Sequence, residues 1–270
     1  MMRANKKELV AFLKNTQRSA VINGKPMPQV QGCIIRRGVL GSTEIEAVSL
    51  VRDGITSVST MFGIVLEMEQ TPIVIPDIEK LLGALKAHNG TVSLYHEKDK
   101  LRLTSARKQT TLTASKDALA FPHTELTVVE WEKNSKALMD KITPTGYTMK
   151  DGSEREFANH IVVKAGILAD AINSGNINGQ KVSRFTLKYD GDTVKVCVGQ
   201  QLKGESVVTI GLAENCDTDF TFEATFEGGL ENITHYGEVR LKILDFTAEG
   251  AGLHLILSSA TTTLYQRGLN

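Results

Sequence analysis

The first side chains in the chain that could do chemistry are the cations of its N-terminal segment. The stretch KKELVAFLKNTQRS, which begins at Lys6, carries apolar residues at helical spacing, and this pattern predicts a helix. The cations fall together on the opposite face of that helix: Lys7, Lys14 and Arg18, with Arg3 joining them if the helix begins early. Such a row suits contact with phosphate groups without reading of bases. The alternative is an ordinary solvated helix face.

Further cations follow at weaker spacing. The segment PDIEKLLGALKAHNG predicts a second helix, with Lys80 opposite the apolar stripe and Lys86 on its flank. In the second half of the chain Lys164 begins a predicted helix, and a last helix is predicted near Ala224–Tyr236. That last segment offers glutamates rather than lysines, so the basic residues concentrate in the first half.

The motifs of enzymes are missing from the sequence. It contains no Walker loop, no G-x-G-x-x-G and no G-x-S-x-G elbow. The six histidines show no metal-ligand spacing on a predicted helix, and the three cysteines form no C-x-x-C pair, which suits a reducing cytoplasm. We therefore expect no catalytic residue, no metal site and no cofactor. The balance of 31 basic and 31 acidic residues leaves a nucleic-acid partner open.

Two long stretches of the chain echo each other. GTVSLYHEKDKLRLTSARKQTTL begins at Gly90, and GEVRLKILDFTAEGAGLHLILSSATTTL begins at Gly237. Matched leucines lie 152 positions apart, at Leu101 and Leu253, Leu103 and Leu255, and Leu112 and Leu264. The segments upstream repeat as well, so the pattern indicates a tandem duplication of a unit of roughly 110–120 residues.

Each unit has the same order of predicted elements: helix, strands, helix, strands. The strands alternate apolar and polar residues and are joined by hairpins, which favours antiparallel sheets and an α+β fold. We predict a first domain over residues 1–118, a connector over 119–155 and a second domain over 156–270.

This organisation resembles the sliding clamps of DNA replication, which include proliferating cell nuclear antigen and the polymerase accessory clamps of T-even-type phages. The most phage-like stretches are KKELVAFLKNTQRSAVINGK and LTSARKQTTLTAS. The resemblance implies a duplicated clamp fold in which each domain has two inner helices and outer antiparallel sheets. It also implies a homotrimeric ring around duplex DNA, tethering a DNA polymerase without sequence preference and opened by a clamp-loader ATPase.

The resemblance also assigns candidate sites. The cations that would line the ring and contact DNA are Arg3, Lys7, Lys14, Arg18, Lys80, Lys86 and Lys164. An apolar pocket beside the connector would take partner motifs and include Leu126 and Val128, with Tyr265 on its rim. Two edge strands would join neighbouring chains through Lys108, Thr111, Val208 and Ile210.

Two other readings of the sequence remain open. The first is a virion or assembly protein with a duplicated β-rich fold and no DNA partner. The second is a duplicated hydrolase, which the missing motifs disfavour. For a clamp we expect a cytoplasmic location, in the host cytoplasm if the protein is viral.

Overall fold

The computed structural model describes residues 1–16, 21–22, 25–26, 32–37, 45–50, 56–62, 67–69, 72–97, 100–113, 139–175, 184–200, 204–212, 220–227, 230, 233 and 236–269. The chain divides into two compact units, with most of the residues up to Ala137 in unit 1 and Leu138–Asn270 in unit 2. Of the helices in these described ranges, none is long and apolar enough to span a membrane.

The first half of the chain contains these elements in order: β1 (Met2–Asn5), α1 (Lys6–Thr16), β2 (Val21–Ile22), β3 (Lys25–Pro26), β4 (Cys33–Arg37), β5 (Ile45–Leu50), β6 (Thr56–Phe62), β7 (Glu67–Met68), β8 (Ile73–Ile75), α2 (Ile78–Leu85), β9 (Thr91–Glu97), β10 (Lys100–Ser105) and β11 (Lys108–Thr113). The second half contains β12 (Gly146–Thr148), β13 (Glu154–Glu156), β14 (Asn159–Lys164), α3 (Ala165–Asn173), β15 (Arg184–Tyr189), β16 (Thr193–Gln200), β17 (Gly204–Leu212), β18 (Phe222–Glu227), β19 (Glu238–Phe246), β20 (Gly252–Ser258) and β21 (Thr262–Arg267).

The order of strands repeats between the two halves. In the first half the neighbours run β11-β10-β9-β1 and β6-β5-β4-β8, and in the second half they run β21-β20-β19-β14 and β17-β16-β15-β18. Neighbouring strands in these described runs pair antiparallel. This repetition confirms the α+β duplication that the sequence predicts.

The two glycines that open the echoed stretches have the same role. Gly90 and Gly237 both have a positive φ, 66° and 74°, which favours glycine. Their carbonyl oxygens accept hydrogen bonds from the first residues of the helices, from the Lys6 amide at 3.0 Å and the Ala165 amide at 2.8 Å. The two similar stretches therefore begin at the same point of the fold in each half, where the glycine before a strand lies against the first residue of a helix.

The pairing corrects the alignment of the next strand. Leu101 pairs with His96 in unit 1, and Leu255 pairs with Ile243 in unit 2, so the equivalent leucines are 154 rather than 152 positions apart. A shift of two residues keeps every side chain on the same face of the sheet, because side chains alternate along a strand. The leucines matched in the sequence therefore lie on the same face of the sheet but are out of register by two residues.

Helices α1 and α2 form because each has one apolar face and a polar start. Leu9, Phe12 and Leu13 of α1 are buried with Leu81 and Leu85 of α2 in one core, together with apolar residues of β1, β9 and β10. The start of α2 is capped by the Asp77 side chain, which accepts a hydrogen bond from the Lys80 amide at 2.9 Å. Helices α1 and α2 therefore confirm the two helices that the sequence predicts in the first half of the chain.

The predicted helix near Ala224–Tyr236 is wrong over its first turn. Residues 222–227 form strand β18, in which Phe222, Ala224 and Phe226 are buried while Glu223 is exposed. This two-residue alternation lets the strand pair with β15 and bury its aromatic rings. The glutamate spacing that favoured a helix is the solvent face of a strand, where Glu223 pairs with Lys188 at 2.8 Å.

The end of the predicted connector forms the hairpin β12–β13 within unit 2. Its residues Tyr147 and Met149 pack against a buried cluster that includes Phe246 and Tyr265. The Tyr265 hydroxyl contacts Nδ1 of His254, and Nε2 of His254 faces the Ala251 carbonyl oxygen at 3.1 Å. Because that carbonyl can only accept, Nε2 carries a proton and donates it, and Nδ1 of the neutral ring accepts from the tyrosine.

Acid should weaken unit 2 through this histidine. Burial lowers the pKa of His254 to about 4, against 6.5 for an exposed histidine. The unfolded chain binds the proton more readily than the folded chain. We therefore expect the free energy of unfolding to fall by about 3 kcal/mol as the pH falls from 6.5 to 4. In His254→Gln, which keeps a donor for Ala251 but cannot titrate, denaturant melts across this range should show a correspondingly flatter pH profile. Parallel profiles in parent and variant would contradict the assignment.

Candidate nucleic-acid interface

The helix pair α1 and α2 presents a surface of lysines, here called the basic helix surface. Both helices bury their apolar faces in the same core, so their opposite faces point away from it. Those faces carry Lys7 and Lys14 from α1 and Lys80 from α2, and Lys86 lies on the flank of α2 at its C-cap; all four are exposed. The structure thus brings together four of the seven predicted DNA contacts.

The start of α1 lies beside the end of α2. The Lys6 side chain donates a hydrogen bond from Nζ to the His88 carbonyl oxygen at 2.6 Å, which places the start of α1 at the end of α2. Lys7 and Lys86 therefore lie at this end of the basic helix surface, and Lys14 and Lys80 lie farther along their helices.

Acidic groups compete weakly for these lysines. The side chain of Lys80 is 76% exposed and lies 3.4 Å from the Asp77 carboxylate. Exposed ion pairs of this kind contribute about 0–1 kcal/mol, so a phosphate could replace the carboxylate at little cost. Glu8 and Glu79 are also exposed on the pair, which leaves the four lysines in excess.

The remaining predicted cations have other positions. Arg3 lies in strand β1 and is exposed, so it is not part of a helix face. Lys164 is exposed at the N-cap of α3, and Arg18 lies outside the described residues. The exposed face of α3 presents Ile167 and Asp170 in place of lysines. The basic helix surface therefore belongs to unit 1.

Both predicted interface segments are edge strands of the described sheets. Strand β11 ends one sheet of unit 1, with Lys108 and Thr111 exposed, and β17 ends a sheet of unit 2. In β17 the side chain of Ile210 is 6% exposed and Val208 is half-buried. The apolar side chain of Val207, which no sequence pattern singled out, is 54% exposed on the same edge strand.

Of the predicted pocket residues, Leu126 and Val128 lie outside the described residues. Tyr265 is 6% exposed, so its side chain is in the core beneath the β12–β13 hairpin instead of on a rim. Burial raises the pKa of its hydroxyl. The hairpin covers it because the face of β21 that carries Tyr265 is the face on which Tyr147 and Met149 pack.

The contacts of Arg155 hold that hairpin against the rest of unit 2. Arg155 of β13 forms a two-pronged ion pair with Glu249 and donates a further hydrogen bond to the Asp245 carbonyl oxygen at 2.6 Å. Its guanidinium also lies 5.0 Å from the centre of the Phe246 ring. These partners are about 90 residues away in the sequence, and no local pattern points to them.

Metal ligands do not gather in the described part of the chain. There, no group of three or more histidine, cysteine, aspartate or glutamate side chains could hold a metal ion. Burial raises the pKa of both described cysteines, Cys33 and Cys197, which leaves their thiols protonated and weakly nucleophilic.

Comparison with solved structures decides the fold. No protein-family model and no curated protein matches the sequence. The beta sliding clamp of Caulobacter crescentus matches the whole chain with a TM-score of 0.67 at 14% identity, and 65% of its own length is covered. The DNA polymerase III subunit beta of Pseudomonas aeruginosa also matches the whole chain, with a TM-score of 0.64 at 11% identity and 67% coverage.

The chain has the sliding-clamp fold. It spans about two thirds of the length of the bacterial clamps that it matches. The predicted resemblance to the clamp fold is thereby confirmed, and it rests on shape, since the identities are 11–14%.

The contacts of Arg155 give a prediction for the local stability of the β12–β13 hairpin. In Arg155→Lys a point-charge ammonium replaces the planar fork, so the two-pronged contact with Glu249 is lost. We expect the amides of residues 146–156 to exchange with deuterium about fivefold faster, which corresponds to about 1 kcal/mol of local stability. Glu223→Gln, which removes the exposed ion pair with Lys188, should leave the hairpin unchanged. Equal exchange in parent and Arg155→Lys would show that the apolar contacts alone hold the hairpin.

Proposed function

We propose that the protein is a DNA sliding clamp, a ring-shaped processivity factor that encircles duplex DNA and tethers a DNA polymerase. The observation that carries the proposal is the basic helix surface, because it presents four exposed lysines on the helix pair of a sliding-clamp fold. The proposed role is a tether and requires no catalytic residue.

The chemistry of that surface suits sliding. Lysine ammonium groups attract phosphates as point charges and read no base edges. Contacts of this type are individually weak and are exchanged as the ring moves, so affinity depends on salt and not on sequence.

The proposed ring closure uses two edge strands of the sheets that the structure describes. A bare edge strand exposes unpaired backbone groups, and β11 of one chain can pair with β17 of the next. This contact joins different surfaces, so it closes into a ring when each chain turns by about a third of a circle. We infer three copies, because the clamps that this duplicated chain resembles form rings of three chains when each chain has two such domains.

The partners follow from the tethering role. A DNA polymerase would insert a short apolar motif beside the connector. The candidate contacts for this motif are Leu126, Val128 and the β12–β13 hairpin, which covers Tyr265. A clamp-loader ATPase would open a closed ring to admit DNA. The protein would act in the cytoplasm, or in the host cytoplasm if it is viral.

The assembly prediction uses the two large apolar side chains that are most exposed in the described structure. Val207→Lys places a charge on the edge strand β17, and we expect it to lower the trimer population at least tenfold in sedimentation at micromolar concentration. Ile167→Lys, the matched change on α3 where the side chain is 44% exposed, should leave the mass at three times 29.5 kDa. A parent protein that sediments at any other multiple would contradict the ring.

The DNA prediction concerns the lysines of α1. Lys7→Ala/Lys14→Ala should shallow the dependence of log affinity on log salt by up to about two, since each phosphate contact contributes about 0.9. Binding of a short duplex, followed by fluorescence anisotropy over a salt series, measures this slope. The control Lys150→Ala/Lys188→Ala removes two exposed lysines elsewhere. The free energy of unfolding of each double variant should lie within about 1 kcal/mol of the parent value. Identical slopes for the two variants would favour a merely solvated helix face.

A further inference from the structure

The tip of the β10–β11 hairpin is attached to the end of α2 by a buried histidine. The side chain of His88 is 1% exposed, and its two ring nitrogens lie 2.9 Å from the hydroxyls of Ser105 and Thr110. Those hydroxyls flank the turn that carries Arg107 and Lys108, both exposed. The turn is thereby fixed next to the last residues of α2.

The start of α1 joins the same place. Lys6 donates from Nζ to the His88 carbonyl oxygen, and its amide donates to Gly90. Burial lowers the pKa of His88, and the nearby charges of Lys108 and Lys6 lower it further. The imidazole is therefore neutral, so it donates to one hydroxyl and accepts from the other.

The three elements that converge here carry five cations, a group here called the basic corner: Lys6, Lys7, Lys86, Arg107 and Lys108. Residues 5–8, 84–90 and 103–110 supply this corner, and their sequence contains a single acidic residue, Glu8. At the start of α2, away from this corner, Lys80 lies beside Asp77 and Glu79. Positive charge is therefore concentrated at one end of the basic helix surface.

We propose that the basic corner binds the sugar–phosphate backbone of DNA beyond the reach of the helix faces, with Arg107 as a phosphate contact and His88 as the residue that positions its turn. The inference rests on the proposed function and assigns it a contact that no helix supplies. The guanidinium of Arg107 can grip a phosphate through two hydrogen bonds, which a lysine cannot do.

A nucleic-acid backbone fits this surface better than a protein partner does. Protein interfaces are anchored by buried apolar and aromatic side chains. In the described structure the exposed large apolar side chains are Ile167 and Val207, and both lie in unit 2 rather than in the basic corner. The corner also continues directly into Lys7 and Lys86 of the basic helix surface.

The test reverses one charge at each end of the same hairpin. Arg107→Glu changes the corner, and Lys100→Glu changes an exposed cation at the opposite end, where Lys100 pairs with Thr113. The net charge falls equally in both variants. With a 30-base-pair duplex at low salt, we expect Arg107→Glu to weaken binding about tenfold and to lower the salt slope by about one, and Lys100→Glu to weaken it less than twofold. Arg107→Ala, a neutral change in an exposed turn, should give a smaller loss in the same direction.

The outcomes separate the two proposals. Equal losses in Arg107→Glu and Lys100→Glu would show that only net charge matters and would overturn the basic corner. If Lys7→Ala/Lys14→Ala loses DNA while Arg107→Glu does not, the clamp function stands and the corner is overturned. If Arg107→Glu binds DNA like the parent but loses a polymerase, the corner docks a protein instead. A parent that binds no duplex would overturn both proposals.

The geometry has its own readout. Lys108→Gln removes a nearby positive charge and should therefore raise the pKa of His88. Lys100→Gln should leave that pKa unchanged. The pKa is measured by NMR of the imidazole over a pH series. An unchanged pKa in Lys108→Gln would show that the hairpin tip does not sit against the end of α2, and would overturn the corner whatever the DNA result.

Discussion

The interaction on which the rest of the structure depends is the burial of the apolar faces of α1 and α2 in one core. A fully buried leucine or phenylalanine is stabilised by about 1.5–3 kcal/mol, whereas an exposed lysine contributes about 0–1 kcal/mol. The buried side chains Leu9, Phe12, Leu13 and Leu81 therefore decide which way each helix faces. The lysines are exposed as a consequence, and they can serve a ligand without supporting the fold.

The same reasoning explains how two units with one topology can differ in charge. The strand orders of the two halves match, and Gly90 and Gly237 have the same role in each. At the exposed positions of the helices, α1 presents Lys7 and Lys14, whereas α3 presents Ile167 and Asp170. Exposed positions can change without cost to the core, so in our account unit 1 supplies most of the attraction for DNA and unit 2 contributes to closing the ring.

Much of this fold could be predicted from periodicity, because α1, α2 and the strands of the echoed stretches each bury one regular face. The errors have physical causes. Residues 222–227 satisfy a helical spacing of glutamates, but the pairing of β18 with β15 buries Phe222 and Phe226 on alternate positions. Tyr265 is covered by a hairpin that lies more than 100 residues earlier, and His88 joins helix and hairpin through side-chain hydrogen bonds. Tertiary contacts of this kind leave no local signal.

The central claim is topological, since a sliding clamp stays on DNA because it surrounds it. The most direct measurement uses a linear duplex onto which the protein has threaded at low salt, with both ends then blocked by biotin-bound streptavidin. Retention is followed by fluorescence after transfer to high salt, where phosphate contacts are screened. Our account predicts that the protein stays on the blocked duplex and leaves once a restriction enzyme cuts it in the middle. Release at high salt before cutting would contradict encirclement and leave only surface binding.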